Sequence, residues 1–112
     1  MMPTMLPQKF YDDELPTTDG LLWTSYNSGR YVILTNLVFT NTSASARTVT
    51  ITIDESDSEG NTTVLISQLS VASHETVVVD VKVPFWCDIR GFASGAGVNA
   101  FISGLYEENT TS

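Results

Sequence analysis

The sequence predicts an all-β protein: an antiparallel β-sandwich of about seven strands with an extended N-terminal arm. Val, Ile and Thr make up 32 of the 112 residues, and β-branched side chains of this kind fit a pleated, half-buried surface. Several segments alternate apolar and polar residues with period two. Turn chemistry separates these segments at short, regular intervals, and no helical pattern lies between them.

Residues 1–19 differ from everything after them. They carry three of the four prolines (Pro3, Pro7 and Pro16), the acidic triplet Asp12-Asp13-Glu14 and no sustained periodicity. Proline fixes φ and removes a ladder donor, so an extended arm is expected. Its apolar residues Met5, Leu6, Phe10, Tyr11 and Leu15 are too many for a free tail and predict docking onto this subunit or a neighbour. Leu6, Phe10, Tyr11 and Leu15 are the expected protein-interface residues.

The sandwich domain is expected over residues 20–108, with a disordered tail at 109–112. Its first strand is Leu21-Leu22-Trp23-Thr24, closed by the turn Ser25 to Gly29. The run Arg30 to Asn41 carries apolar groups on both faces and predicts a central strand, buried on both sides for part of its length. After the polar turn Thr42 to Ala46, Val49, Ile51 and Ile53 alternate with Thr48, Thr50, Thr52 and Asp54, which is the pattern of a half-buried strand. The turn Asp54 to Asn61 leads into a strand at Thr62–Leu69. Beyond the connection Ser70 to His74, Val77, Val79, Val81 and Val83 stand opposite Thr76, Val78, Asp80 and Lys82. Pro84 ends that run and leads into Phe85–Phe92. The glycine-rich turn Ser94 to Gly97 then precedes the last strand, Val98–Tyr106. A closed barrel is the competing geometry.

Composition narrows the function classes. The formal net charge is −8, with 13 acidic residues against five basic ones, so nucleic acid would be repelled. No stretch approaches the roughly 20 apolar residues of a membrane span, and the first residues have neither the basic nor the apolar region of a signal peptide. Cys87 is the single cysteine, which leaves no intrachain disulfide and no multi-thiolate metal site; a buried thiol is expected there. The three Asn-x-Ser/Thr sequons at Asn41, Asn61 and Asn109 are chance products of a chain rich in Ser and Thr.

Catalytic constellations are sparse. His74, the one histidine, sits in a polar connection with no motif around it, and an exposed loop histidine is expected. Gly91, Gly95, Gly97 and Gly104 match no phosphate-binding spacing and read as turn and bulge glycines. Glu55, Asp57 and Glu59 alternate before Gly60 in the manner of a calcium loop, but Ile66 stands where a closing glutamate is required, and a solvated hairpin tip is expected instead. Trp23, Tyr26, Tyr31, Trp86 and Phe92 are expected to pack in a core or interface, the alternative being a carbohydrate platform. The expectation is a binding protein with no catalytic residues, metal or cofactor.

A family resemblance adds to this reading. It is carried by Leu21-Leu22-Trp23-Thr24, by Leu34 to Ser43 (LTNLVFTNTS) followed by Ala44 to Ile51 (ASARTVTI), and by Val98 to Glu107 (VNAFISGLYE). Across residues 21–108 the chain resembles small phage virion proteins of the β-sandwich kind, found as head-decoration, cement or tail-associated subunits. The resemblance implies a structural protein located in the virion and partnered with the major capsid protein. It further implies a homo-oligomer, with a trimer favoured. A tail, adaptor or fibre-base component of the same virion is the nearest alternative, and a cell-surface carbohydrate-binding module is a more distant one.

Overall fold

The computed structural model describes residues 5–24, 32–54, 62–85 and 88–107. Eight strands follow one another: β1 (Met5–Glu14), β2 (Gly20–Thr24), β3 (Val32–Asn41), β4 (Arg47–Asp54), β5 (Thr62–Val71), β6 (Thr76–Phe85), β7 (Asp88–Ala93) and β8 (Val98–Glu107). They form two four-stranded sheets, one in the order β1-β8-β3-β6 and the other β2-β7-β4-β5, and every pairing is antiparallel. Pairing first with last, second with seventh, third with sixth and fourth with fifth makes the chain one long ribbon rolled on itself. This is the jelly-roll arrangement of a double-sheet sandwich.

The all-β sandwich expected from the sequence is present, with one strand more than the seven anticipated. The additional strand is β1: the arm expected to dock onto this subunit or a neighbour docks onto this subunit, and the correction is that it does so as a strand of the sandwich. Met5–Glu14 pairs along its length with β8, from Met5 opposite Glu107 to Glu14 opposite Asn99. Prolines and acids hid the strand, yet neither forbids an edge position: an edge strand needs ladder bonds on one side only, and Pro and charge are the usual edge protection. Pro84, expected to end its run, lies within β6 for the same reason, since β6 is the opposite edge of that sheet. The tail at 109–112 lies outside the described residues.

The core lies between the sheets. Val49, Ile51 and Ile53 of β4 point into it, as their alternation predicted, and so do Val98, Ala100 and Ile102 of β8. In β3 the inward set is Val32, Leu34, Leu37 and Phe39, a spacing that changes phase midway. The register of β3 slips between Leu34 and Asn36 against both neighbours. One extra residue, Thr35, therefore turns Leu34 and Leu37 to the same face. A second slip in β1, between Lys9 and Tyr11, sends Phe10 into the core. The two bulges flank Ser103 and Gly104 of β8, and a Cβ at Gly104 would collide with the Ile33 carbonyl oxygen and lie 2.9 Å from the Phe10 ring. Gly104 is thus a close-approach glycine beside two bulges, in keeping with its reading as a turn or bulge glycine.

The described connections, 15–19, 42–46, 72–75 and 94–97, cap one end of the sandwich. Asn41 organises that end. Fully buried, it donates from Nδ2 to the Ser45 and Val71 carbonyls at 2.8 and 3.0 Å, and its Oδ1 accepts from Ser43 N at 2.9 Å and Ser43 Oγ at 2.7 Å. The side chain bonds its own backbone at the start of the expected polar turn and also ties β3 to the end of β5. Its burial bars the Asn41 sequon from glycan attachment in the folded chain. We expect Asn41→Ala to lower stability by about 2–4 kcal/mol, because the buried bond to the Val71 carbonyl and the half-buried bonds to the Ser45 carbonyl and the Ser43 N–H are lost together. Urea unfolding checks this, with the more exposed Ser43→Ala costing about 1 kcal/mol.

Candidate interaction surface

The four residues expected to make protein contacts have separate fates. Phe10 is 5% exposed and Leu15 2%, so both belong to this chain's own core, a correction to their expected interface role. They are buried because the Phe10 bulge turns its ring inward against Trp23, with centroids 4.7 Å apart, while the Leu15 N–H donates to the Val98 carbonyl at 2.8 Å as the chain crosses to the second sheet. Tyr11 packs against the core, and its phenol donates to the Glu14 carbonyl at 2.5 Å. Burial raises the phenol pKa, and the nearby carboxylates of Asp13 and Glu14 raise it further. Leu6, opposite Tyr106, is 43% exposed and is the one of the four open to a partner.

Other chemistry-bearing residues are placed as follows. His74 sits exposed in the turn between β5 and β6, with φ at 61°. Asp54 accepts from Thr62 Oγ1 at 2.8 Å, and the rest of the calcium-like stretch, 55–61, lies outside the described residues, as does Cys87. Of the aromatic residues considered for a sugar platform, Trp23 packs between Phe10 and Tyr106. Tyr26, Tyr31 and Trp86 lie outside the described residues. Among the described residues, no three His, Cys, Asp or Glu side chains form a group suited to a metal ion, and no helix is long and apolar enough to cross a membrane.

The outer faces of the two sheets differ. That of the β2-β7-β4-β5 sheet mixes Thr48, Thr50 and Thr52 with Phe92 opposite Thr50, exposed Val64 opposite Thr52 and exposed Leu21 opposite Arg90, which pairs to Asp19 at 3.2 Å. That of the β1-β8-β3-β6 sheet is built in rows. Pro7, Leu105, Ile33 and Pro84 form one apolar row, and Phe101, Val38 and Val78 form another that ends on β1 in Asp12, which pairs with Lys9 at 3.4 Å. Between them runs Lys9, Ser103, Asn36 and Asp80, with Asn36 Nδ2 donating to Asp80 at 2.7 Å. Val78 and Phe101 are two of the exposed large apolar residues described, beside Leu6 on β1 and Leu21 and Val64 on the other sheet. Sequence reasoning missed this surface. The signal is present in Arg30 to Asn41, whose second apolar face reads from sequence as burial within the chain.

Edge strands are the other place where partners attach. β1 is guarded by Pro7 and Lys9 and β6 by Lys82 and Pro84, while β5 is twisted by a bulge at Gln68, whose φ is 54°. β2 has only five residues. The edge made by β1 and β2 presents Leu6 and Leu21, the latter 52% exposed.

Comparison with known proteins bears on the fold. No protein-family model and no curated protein sequence matches the chain. Among solved structures, it is similar to a chain of the Bacillus endospore appendages, a family of disulfide-linked pili, with a TM-score of 0.58 and 13% identity over 98% of this chain and 93% of that one. It is also similar to a chain of the infectious bursal disease virus Gx strain, with a TM-score of 0.53 and 14% identity over 94% of this chain. It spans about a third (32%) of that virus chain. At such identities the shared property is the fold alone.

Proposed function

We propose that the chain is a structural subunit of an assembled particle, and specifically a decoration or cement subunit that binds the major capsid protein of a phage head. One observation carries the coarser part: the two similar solved chains come from a pilus and a virus, and both share this chain's fold. The finer part rests on the phage-virion resemblance of residues 21–108. The contact to the capsid lies along the β1/β2 edge, where Leu6 and Leu21 are exposed. The role is non-catalytic, and the subunit stabilises the shell by mass action, since whatever binds only the assembled state favours it. A second reading, a tail or fibre-base component, draws on the pilus likeness, which covers nearly the whole of both chains.

Mixing the purified protein with empty expanded capsids of the same phage, followed by imaging, tests the proposal. Saturable density at local symmetry axes is expected, and Leu6→Asp lowers the apparent affinity by about ten-fold or more. Labelling confined to the tail vertex moves the second reading to first place. No binding to any part of the virion removes both.

A further inference from the structure

We infer that the outer face of the β1-β8-β3-β6 sheet binds the same face of a second copy of this chain, the two related by a two-fold axis running along β3 and β8. The inference deepens the assembly reading above and rests on it, but it uses a different surface from the β1/β2 edge. The register puts Lys9 at one end of the central polar row and Asp80 at the other, bridged by Ser103 and Asn36. A rotation about an axis parallel to the strands lays β1 of one copy over β6 of the other and keeps the rows level. Lys9 of each copy then meets Asp80 of its partner, and one row makes both ion pairs. The rows on either side close on their own counterparts, so that Phe101 meets Val38 and Leu105 meets Ile33 at the centre, while Val78 faces Asp12 at the rim.

Charge makes a second copy an acceptable occupant of this face. The chain carries −8 overall, and two copies brought together at random repel. Within the three central rows, however, the charged residues are Lys9, Asp12 and Asp80, with Lys82 exposed beside them on β6. Two positive and two negative groups cancel, so the central rows are a neutral zone on an acidic body, with Glu107 and Glu14 at the two ends of the face. Its size also fits. Four strands about 4.8 Å apart and about 30 Å of strand length give roughly 600 Å² per copy, or about 1,200 Å² in all, the lower bound for a specific interface. Two aligned sheets packing through such rows reproduce the geometry of the sandwich interior. Under this inference the contact is two-fold in place of the expected trimer, because a face-to-face isologous contact pairs Lys9 with Asp80 at both ends of the row.

Light scattering coupled to size exclusion, on the full chain, tests the inference. The protein elutes at twice its 12.2 kDa chain mass. Lys9→Asp and Asp80→Lys each place like charges together at both ends, and each weakens the dimer by roughly a hundred-fold. An equimolar mixture of the two variants restores it. In the mixed dimer the aspartate introduced into one chain faces the lysine introduced into the other, and at the opposite end the native Lys9 and Asp80 still meet. Phe101→Lys gives a second, independent loss. All three positions are on the surface, and thermal melts by circular dichroism verify that each variant folds. A monomeric parent chain, an oligomer indifferent to Phe101→Lys, or single variants that fail to rescue each other would each overturn the inference. Capsid binding by a monomeric Lys9→Asp variant separates this result from the decoration proposal, which can stand when the dimer fails and fail when the dimer stands.

Discussion

Deleting residues 1–19 abolishes cooperative folding rather than trimming a docking arm. The deletion takes out Phe10 and Leu15, both in the core, and each alone is worth about 2–5 kcal/mol when truncated. It also strips β8 of its whole pairing partner on one side. The ten residues of β8 then become an unprotected edge bearing Phe101 and Leu105, which is a template for aggregation. Trp23 loses the Phe10 ring at the same time. Against a total stability of about 5–15 kcal/mol for a typical domain, the combined loss leaves no folded state. The truncated chain should show flat near-ultraviolet dichroism and no sigmoidal melt. A folded, monomeric truncation would mean that β1 is an accessory element and that the core closes without it.

Gly104→Ala is expected to be the most damaging small substitution. The added methyl collides with the Ile33 carbonyl oxygen and comes within 2.9 Å of the Phe10 ring. Neither neighbour can yield cheaply, since Ile33 is held in the centre of the sheet and Phe10 is wedged into the core. The strain falls on two bulges at once, those at Phe10 and Thr35, so we expect a loss of about 3 kcal/mol or more and a fall in Tm of about 12–18 °C. Gly95→Ala is the control. The nearest atoms to its Cβ would belong to the side chain of Arg47, at 2.6 Å from Nε, and this half-buried but flexible side chain can shift at the cost of its bond to the Ala96 carbonyl. A Tm change within about 2–3 °C, equivalent to about 0.5 kcal/mol, is expected there. Equal effects at the two glycines would show that the collision at Gly104 relaxes freely.

The parts of the fold that were legible in the sequence are those where periodicity runs unbroken. In β4 and β6 every second residue has one fate, so alternation alone placed Val49, Ile51 and Ile53 inward and Val78, Asp80 and Lys82 outward. The turn at Asn41-Thr42-Ser43 was legible because its chemistry is local: the side chain bonds its own backbone two residues on. In β1 and β3 the pattern breaks at a bulge, and a one-residue slip moves all that follows to the opposite face. Phe10 and Tyr11 are adjacent and yet both turn toward the core, something no period-two reading anticipates.

The candidate surface was less legible for a related reason. Sequence pattern distinguishes apolar from polar positions but not which apolar face finds a partner inside the chain. Leu6, Phe10, Tyr11 and Leu15 look alike as apolar residues of an arm, and only the pairing of β1 with β8 separates exposed Leu6 from buried Phe10 and Leu15. Ile33 and Val38 look internal, but they line an outer face.

By itself the sequence determined the class of the molecule, an antiparallel sandwich of β-branched strands with a strongly acidic surface, because strand period, turn residues and charge act over a few residues at a time. Tertiary structure alone decided that the proline-bearing first segment is a strand, that the sheets are ordered β1-β8-β3-β6 and β2-β7-β4-β5, and that Lys9 and Asp80, 71 positions apart in the chain, end one row. Those are long-range pairings, and their register is fixed by which bulges and close-approach glycines let two distant segments meet.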